Sequence, residues 1–87
     1  MKYVNFKECK EIVEQIDRHT QLLKDVEALL GYQESHPTSL FSTRIETGNF
    51  HTFIPAKYND CTKEYIHNLI SVLKEEIDLL NEKLAEL

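Results

Sequence analysis

From Ile66 onward, apolar residues recur at Ile70, Leu73, Ile77, Leu80, Leu84 and Leu87. Alternating steps of four and three residues, sustained over about three heptads, describe a helix with one stripe built to meet another helix. A strand, whose side chains alternate every second residue, cannot bring these positions to one side. The spacing predicts a helix over residues 60–87, with Asn59 and Asp60 as candidate caps. Such a seam needs a partner, and the first half of the chain offers one. Cys9, Ile12, Ile16, His19, Leu23, Val26 and Leu30 repeat with the same alternation. Asn5 and Glu8 have the spacing of a capping box. Gly31 follows the last periodic residue, where a left-handed C-terminal position is expected. A second helix over residues 6–30 follows.

The chain has 87 residues, enough for a single domain over residues 1–87. A chain of this length buries only about 60% of its unfolded surface, so its core is marginal without a disulfide, a metal or a further subunit. In an antiparallel pair of helices, Cys9 and Cys61 would lie about 30 Å apart, well beyond the roughly 7 Å that a bridge spans. No intrachain disulfide is expected, in keeping with a reducing compartment.

Both helices are more apolar than a two-helix seam requires. Val13, Leu22 and Leu29 widen the first arc, and Tyr65, Leu69, Val72 and Leu79 widen the second. Large exposed apolar patches mark interfaces, so self-association into a homo-oligomer is expected. The competing expectation is that the connecting segment folds back over the surplus.

That segment, residues 32–59, is too long for a plain bundle loop. Ser39–Glu46 and Asn49–Pro55 have strand composition around a Thr47-Gly48 turn. With a two-residue loop, Ile45 pairs with Phe50, Arg44 with His51, Thr43 with Thr52 and Phe41 with Ile54. One face then carries Phe41, Thr43, Ile45, Phe50, Thr52 and Ile54. The other carries Leu40, Ser42, Arg44, His51 and Phe53. The fold class is therefore mainly α: an antiparallel, coiled-coil-like helical hairpin with a small β-hairpin between its helices and a polar loop and hairpin over residues 32–55.

The net charge is −5, with acids and bases interspersed. A nucleic-acid or anionic-membrane binder needs a basic face, so DNA is not an expected partner. No apolar run approaches the roughly 20 residues of a membrane span, and the first residues lack the apolar core of a secretory signal. A cytoplasmic location is the expectation.

Chemistry-bearing constellations are sparse. The four histidines, His19, His36, His51 and His67, include no pair at helical zinc spacing, and neither cysteine has a ligand-spaced neighbour. No metal site and no cofactor are expected. His19 sits on the seam, where a polar residue sets register or oligomeric state. No glycine-rich phosphate loop or nucleophile elbow occurs, Glu75, Glu76 and Asp78 read as a solvated acidic face, and Asp60 opposes activation of Cys61. The chain reads as non-enzymatic. Donors and cations concentrate in the connecting segment instead. Arg44 and His51 as cross-strand neighbours beside Phe53, with Thr43, Thr52, Lys57 and Tyr58, form a candidate site for a small nucleotide-like anion. Glu46 is the nearby acid that competes for Arg44.

The stretch "FHTFIPAKYNDCTKEYIHNLISVLKEEIDLLNEKLAEL", with its polar run ending in Ile-Pro before a zipper-like helix, resembles small uncharacterised helix–hairpin–helix proteins of bacteriophages and prophages. The resemblance covers under half the chain. It implies a role in host takeover or in blunting bacterial immunity, by binding a host protein or sequestering a nucleotide signal. The helix–hairpin–helix order also resembles prefoldin subunits, which implies a chaperone or structural coiled-coil role, although these helices are short for that family.

Overall fold

The computed structural model describes residues 3–87. Two long helices, α1 (Tyr3–Ser35) and α2 (Asn59–Ala85), pack side by side, and a two-stranded antiparallel hairpin, β1 (Thr43–Thr47) and β2 (Phe50–Ile54), stands between them in the chain. A single 3₁₀ turn, Ala56–Tyr58, leads from β2 into α2. The whole measures 54 × 34 × 14 Å, so helices and hairpin form a thin plate.

The seam predicted from spacing is the core. Val26, Leu30, Ile66 and Leu73 form a buried cluster, against which Leu23, Leu69, Ile70 and Phe41 pack. Ile12 is buried as well. Ile77, Leu80 and Leu84 continue the stripe half-buried toward the end of α2. Among the described residues no side chain is wholly shut away from solvent. That is the outcome physics dictates for one pair of helices, since each residue on a seam has neighbours on one side only.

α1 is longer than its periodicity suggests, beginning at Tyr3 rather than residue 6 and ending at Ser35 rather than residue 30. Asn5 lies inside the helix and not at its cap. Gly31 is not a left-handed terminus, because Gly48 alone among the described residues has a positive φ. Two features carry the helix past Gly31. Gln33 stands one heptad beyond Val26 and is buried, so continuing the helix extends the packed stripe. The stop comes instead from Pro37, which disfavours helical backbone at the residue before it. The last carbonyls are met locally: the Ser35 hydroxyl donates to the Gly31 carbonyl at 3.0 Å, and His36 Nδ1 meets the Tyr32 carbonyl at 3.0 Å.

α2 starts at Asn59 and ends at Ala85, close to the expected 60–87. Its caps differ from expectation. Tyr58 occupies the cap position and no side chain caps the helix. The Asn59 side chain is engaged elsewhere, its Oδ1 accepting the Phe41 N–H at 2.9 Å.

The hairpin strands are shorter than composition suggested, and their register differs by two residues. Thr43 pairs with Ile54, Arg44 with Phe53, Ile45 with Thr52, Glu46 with His51 and Thr47 with Phe50. The loop is Gly48-Asn49, not Thr47-Gly48. Gly48 has φ of 54° and Asn49 does not have positive φ, the sign pattern of a type II′ turn, which takes glycine at its first central position. A slip of two leaves every side chain on its expected face, because the pleat repeats every two residues.

Candidate functional site

Among the described residues, the hydrogen bonds that tie the hairpin to the helices lie at its base. Below β1, the Phe41 ring lies on the core cluster while its N–H is held by Asn59. The hydroxyls of Thr43 and Thr62 are hydrogen-bonded at 2.9 Å. Beyond this junction the strands project into solvent: Ile45, Phe50 and Phe53 are all largely exposed, Phe50 to 80%. The connecting segment therefore does not fold back over the helices.

The two faces of the hairpin have different chemistry. On one, the Arg44 guanidinium lies 5.7 Å from the centre of the Phe53 ring, directly across the ladder. The His51 ring meets Phe53 edge-on at 6.0 Å. Arg44 also approaches Glu46 at 3.4 Å, with both side chains about half exposed. Arg44, His51 and Phe53 are thus brought together as the sequence suggested, although Arg44 and His51 are diagonal rather than directly opposed. Glu46, opposite His51, sits within the same group. A carboxylate there offsets the positive charge that an anion would need.

The other face carries Thr43, Ile45, Thr47, Phe50, Thr52 and Ile54. Thr43 and Thr52 are therefore turned away from Arg44. Lys57 and Tyr58 form a separate contact on the 3₁₀ turn, the ammonium 5.0 Å from the ring centre. The seven residues proposed for an anion site do not converge on one point. They divide among two hairpin faces and a turn.

Between β1 and the start of α2 runs an open groove of about 590 Å³, lined by Thr43, Arg44, Ile45, Glu46 and Ile54 on the hairpin and by Cys61, Thr62 and Tyr65 on the helix. Its walls are mostly carbon, with the Thr43–Thr62 pair at its edge. Nothing in the spacing of the sequence marks this groove, because it exists only through the angle between hairpin and helix.

His19 bridges the helices. Its Nε2 lies 2.9 Å from the Glu76 carboxylate and its Nδ1 2.7 Å from the Gln15 carbonyl. Both partners are hydrogen-bond acceptors, one on each helix. The remaining polar anomaly is Gln33, whose buried Oε1 has no partner among the described residues.

Both cysteines are free, Cys9 half-buried and Cys61 exposed. Among the described residues no three His, Cys, Asp or Glu side chains cluster closely enough to hold a metal ion. No helix among them is long and apolar enough to cross a membrane. Comparison with protein-family models, with curated proteins and with solved structures finds no match to this chain.

Proposed function

We propose that this chain is a small, non-enzymatic binding protein that works as a homo-oligomer in the cytoplasm, its helices building the assembly and its hairpin presenting the contact surface. The observation that carries this reading is the apolar surface that one chain leaves open. Leu22, Leu29, Tyr65, Val72 and Leu79 on the helices, and Ile45, Phe50 and Phe53 on the hairpin, are all about two-fifths exposed or more. Exposed apolar area of this extent marks interfaces in soluble proteins, and the hairpin does not cover it. The resemblance to small phage proteins makes a host protein, or a component of bacterial immunity, the expected partner. Light scattering tests the assembly: a stable, well-folded monomer at micromolar concentration overturns it. Affinity capture with the intact chain and with a Phe50→Asp, Phe53→Asp variant tests the hairpin. Partners retained equally by both variants count against the hairpin as the contact surface.

A second reading, a sponge for a nucleotide-like anion between subunits, has one observation in its favour, the meeting of Arg44, His51 and Phe53 on one face. Glu46 in their midst weighs against it. A nucleotide at 100 times its dissociation constant stabilises the folded state by about 2.7 kcal/mol, so a thermal-shift screen reads it directly. Absence of any shift, or a shift unaltered in Arg44→Ala, removes this reading. The prefoldin-like layout gains no comparable support.

A further inference from the structure

The exposed apolar side chains of the helices are not scattered. A surface recess lined by Gln15 and His19 of α1 and by Glu76, Leu79 and Leu80 of α2 fixes which flanks of the two helices adjoin. Stepping by heptads from Gln15 gives Leu22 and Leu29, and stepping back by heptads from Leu79 gives Val72 and Tyr65. In an antiparallel pair these rows run level, so Leu22 lies beside Val72 and Leu29 beside Tyr65 on one broad face of the plate. Each of the five apolar members is between 44% and 66% exposed. The opposite face is different in kind. There α2 carries Lys63, His67 and Lys74, and α1 carries Lys24 and Glu27, with Phe6 and Val13 the large exposed apolar residues of α1 among those whose side chains are described.

We infer that this face is the seat of a second copy of the chain, docked about a two-fold axis parallel to the helices to give a four-helix bundle. The inference rests on the homo-oligomeric reading above and adds its surface, its partner and its geometry. Three observations select a second copy as occupant. The five residues expose on the order of 500 Å², so their full burial in two copies removes about 1,000 Å², the least that a specific interface needs. The face is matched to itself: such an axis sets α1 of one copy over α2 of the other at the same level, bringing Leu22 against Val72 and Leu29 against Tyr65. Charges fall into place at the same levels, with Glu11 facing Lys83 and Arg18 facing Glu76, opposite signs in both cases. The 14 Å thickness of the plate keeps the hairpin close to the plane of the helices, bordering this face only at its Tyr65 end. Both hairpins then emerge from the same end of the bundle, so the assembly offers two copies of the contact surface side by side.

Sedimentation equilibrium of the full chain tests this. The Leu22→Lys, Val72→Lys variant alters only exposed positions and should keep the helical circular dichroism of the parent. It should weaken dimerisation by about 100-fold or more, whereas Val13→Lys, on the opposite face, should leave it unchanged. Retained dimerisation in the double variant, or its loss in Val13→Lys, overturns the assigned face while leaving self-association standing. A parent chain that sediments as a monomer overturns both. A cross-linking arm checks the axis, in a Cys9→Ser, Cys61→Ser background. Oxidation of Leu22→Cys chains mixed with Val72→Cys chains should yield cross-linked dimer well above either variant alone. Stronger linkage within Leu22→Cys alone would show α1 stacked on α1 and refute the proposed axis.

Discussion

Replacement of Gly31 by alanine turns a question of helix extent into a question of sign. Gly31 lies inside α1, four residues before its end, and its φ is not positive. A Cβ built there meets no atom within 4 Å beyond the adjoining backbone of α1 itself, so alanine introduces neither strain nor a clash. What remains is backbone entropy: glycine in a helix interior costs about 0.5–1 kcal/mol relative to alanine. Because the last turn frays, the lower half of that range is the appropriate expectation, about 0.5 kcal/mol of added stability. For a domain of this size each kcal/mol moves the midpoint by roughly 4–8 °C, so a rise of about 2–4 °C is expected. Thermal and urea unfolding followed by circular dichroism at 222 nm measure it, at matched protein concentration because any self-association would shift the midpoint. If the helix instead ended at Leu30 with Gly31 as a left-handed terminus, alanine would destabilise by about 1 kcal/mol. A lowered midpoint therefore refutes the extended helix. Gly48→Ala supplies the contrast: with φ of 54°, alanine there should destabilise by about 1 kcal/mol.

Three further outcomes follow from the packing. Leu73→Ala should cost about 3 kcal/mol, since Leu73 is only 4% exposed and truncated core leucines cost roughly 2–5 kcal/mol; a loss below about 1 kcal/mol in urea unfolding would mean that the core lies elsewhere. Asn59→Ala removes the acceptor of the Phe41 N–H and should cost about 1 kcal/mol, with faster amide exchange at Phe41 and in β1; unchanged exchange there would show that the contact does not hold the hairpin. A double-mutant cycle between His19→Ala and Glu76→Ala should give a coupling of no more than about 1 kcal/mol, because the carboxylate partner is about half exposed; a larger value would indicate that the pair is shielded in an assembly.

The helical pair was legible because period is a global signal. Ile66, Ile70, Leu73, Ile77, Leu80 and Leu84 all report the same stripe, and an error at any one of them leaves it intact. Helix ends are local signals, and there the sequence misled. Gly31 follows a periodic apolar residue as a terminator would, yet the burial of Gln33 and the stop at Pro37 decide the end. Asn59 has a cap's composition and position, but no sequence rule says that its side chain will find Phe41, eighteen residues away. The hairpin shows a middle case. Its two faces follow from alternation and survive a shift of two, whereas the register depends on which residue enters the turn first, and Gly48 does. In the candidate site, the meeting of Arg44, His51 and Phe53 was readable from alternation. The separation of Thr43 and Thr52 from them was already implied by the same alternation. The groove beside Tyr65 was not readable, because it depends on the angle between two elements.

The attachment of the hairpin has a consequence for how the molecule tolerates change. Two side-chain hydrogen bonds and one ring hold it to a scaffold whose core lies almost wholly on α1 and α2. Local opening free energies track such contacts, so the hairpin is expected to open at a lower free energy than the pair of helices. Hairpin and scaffold are then separate design problems within one short chain. Residues 44–53 can be rewritten, lengthened or exchanged for another hairpin with the same stem, at little cost to the pair of helices that carries them.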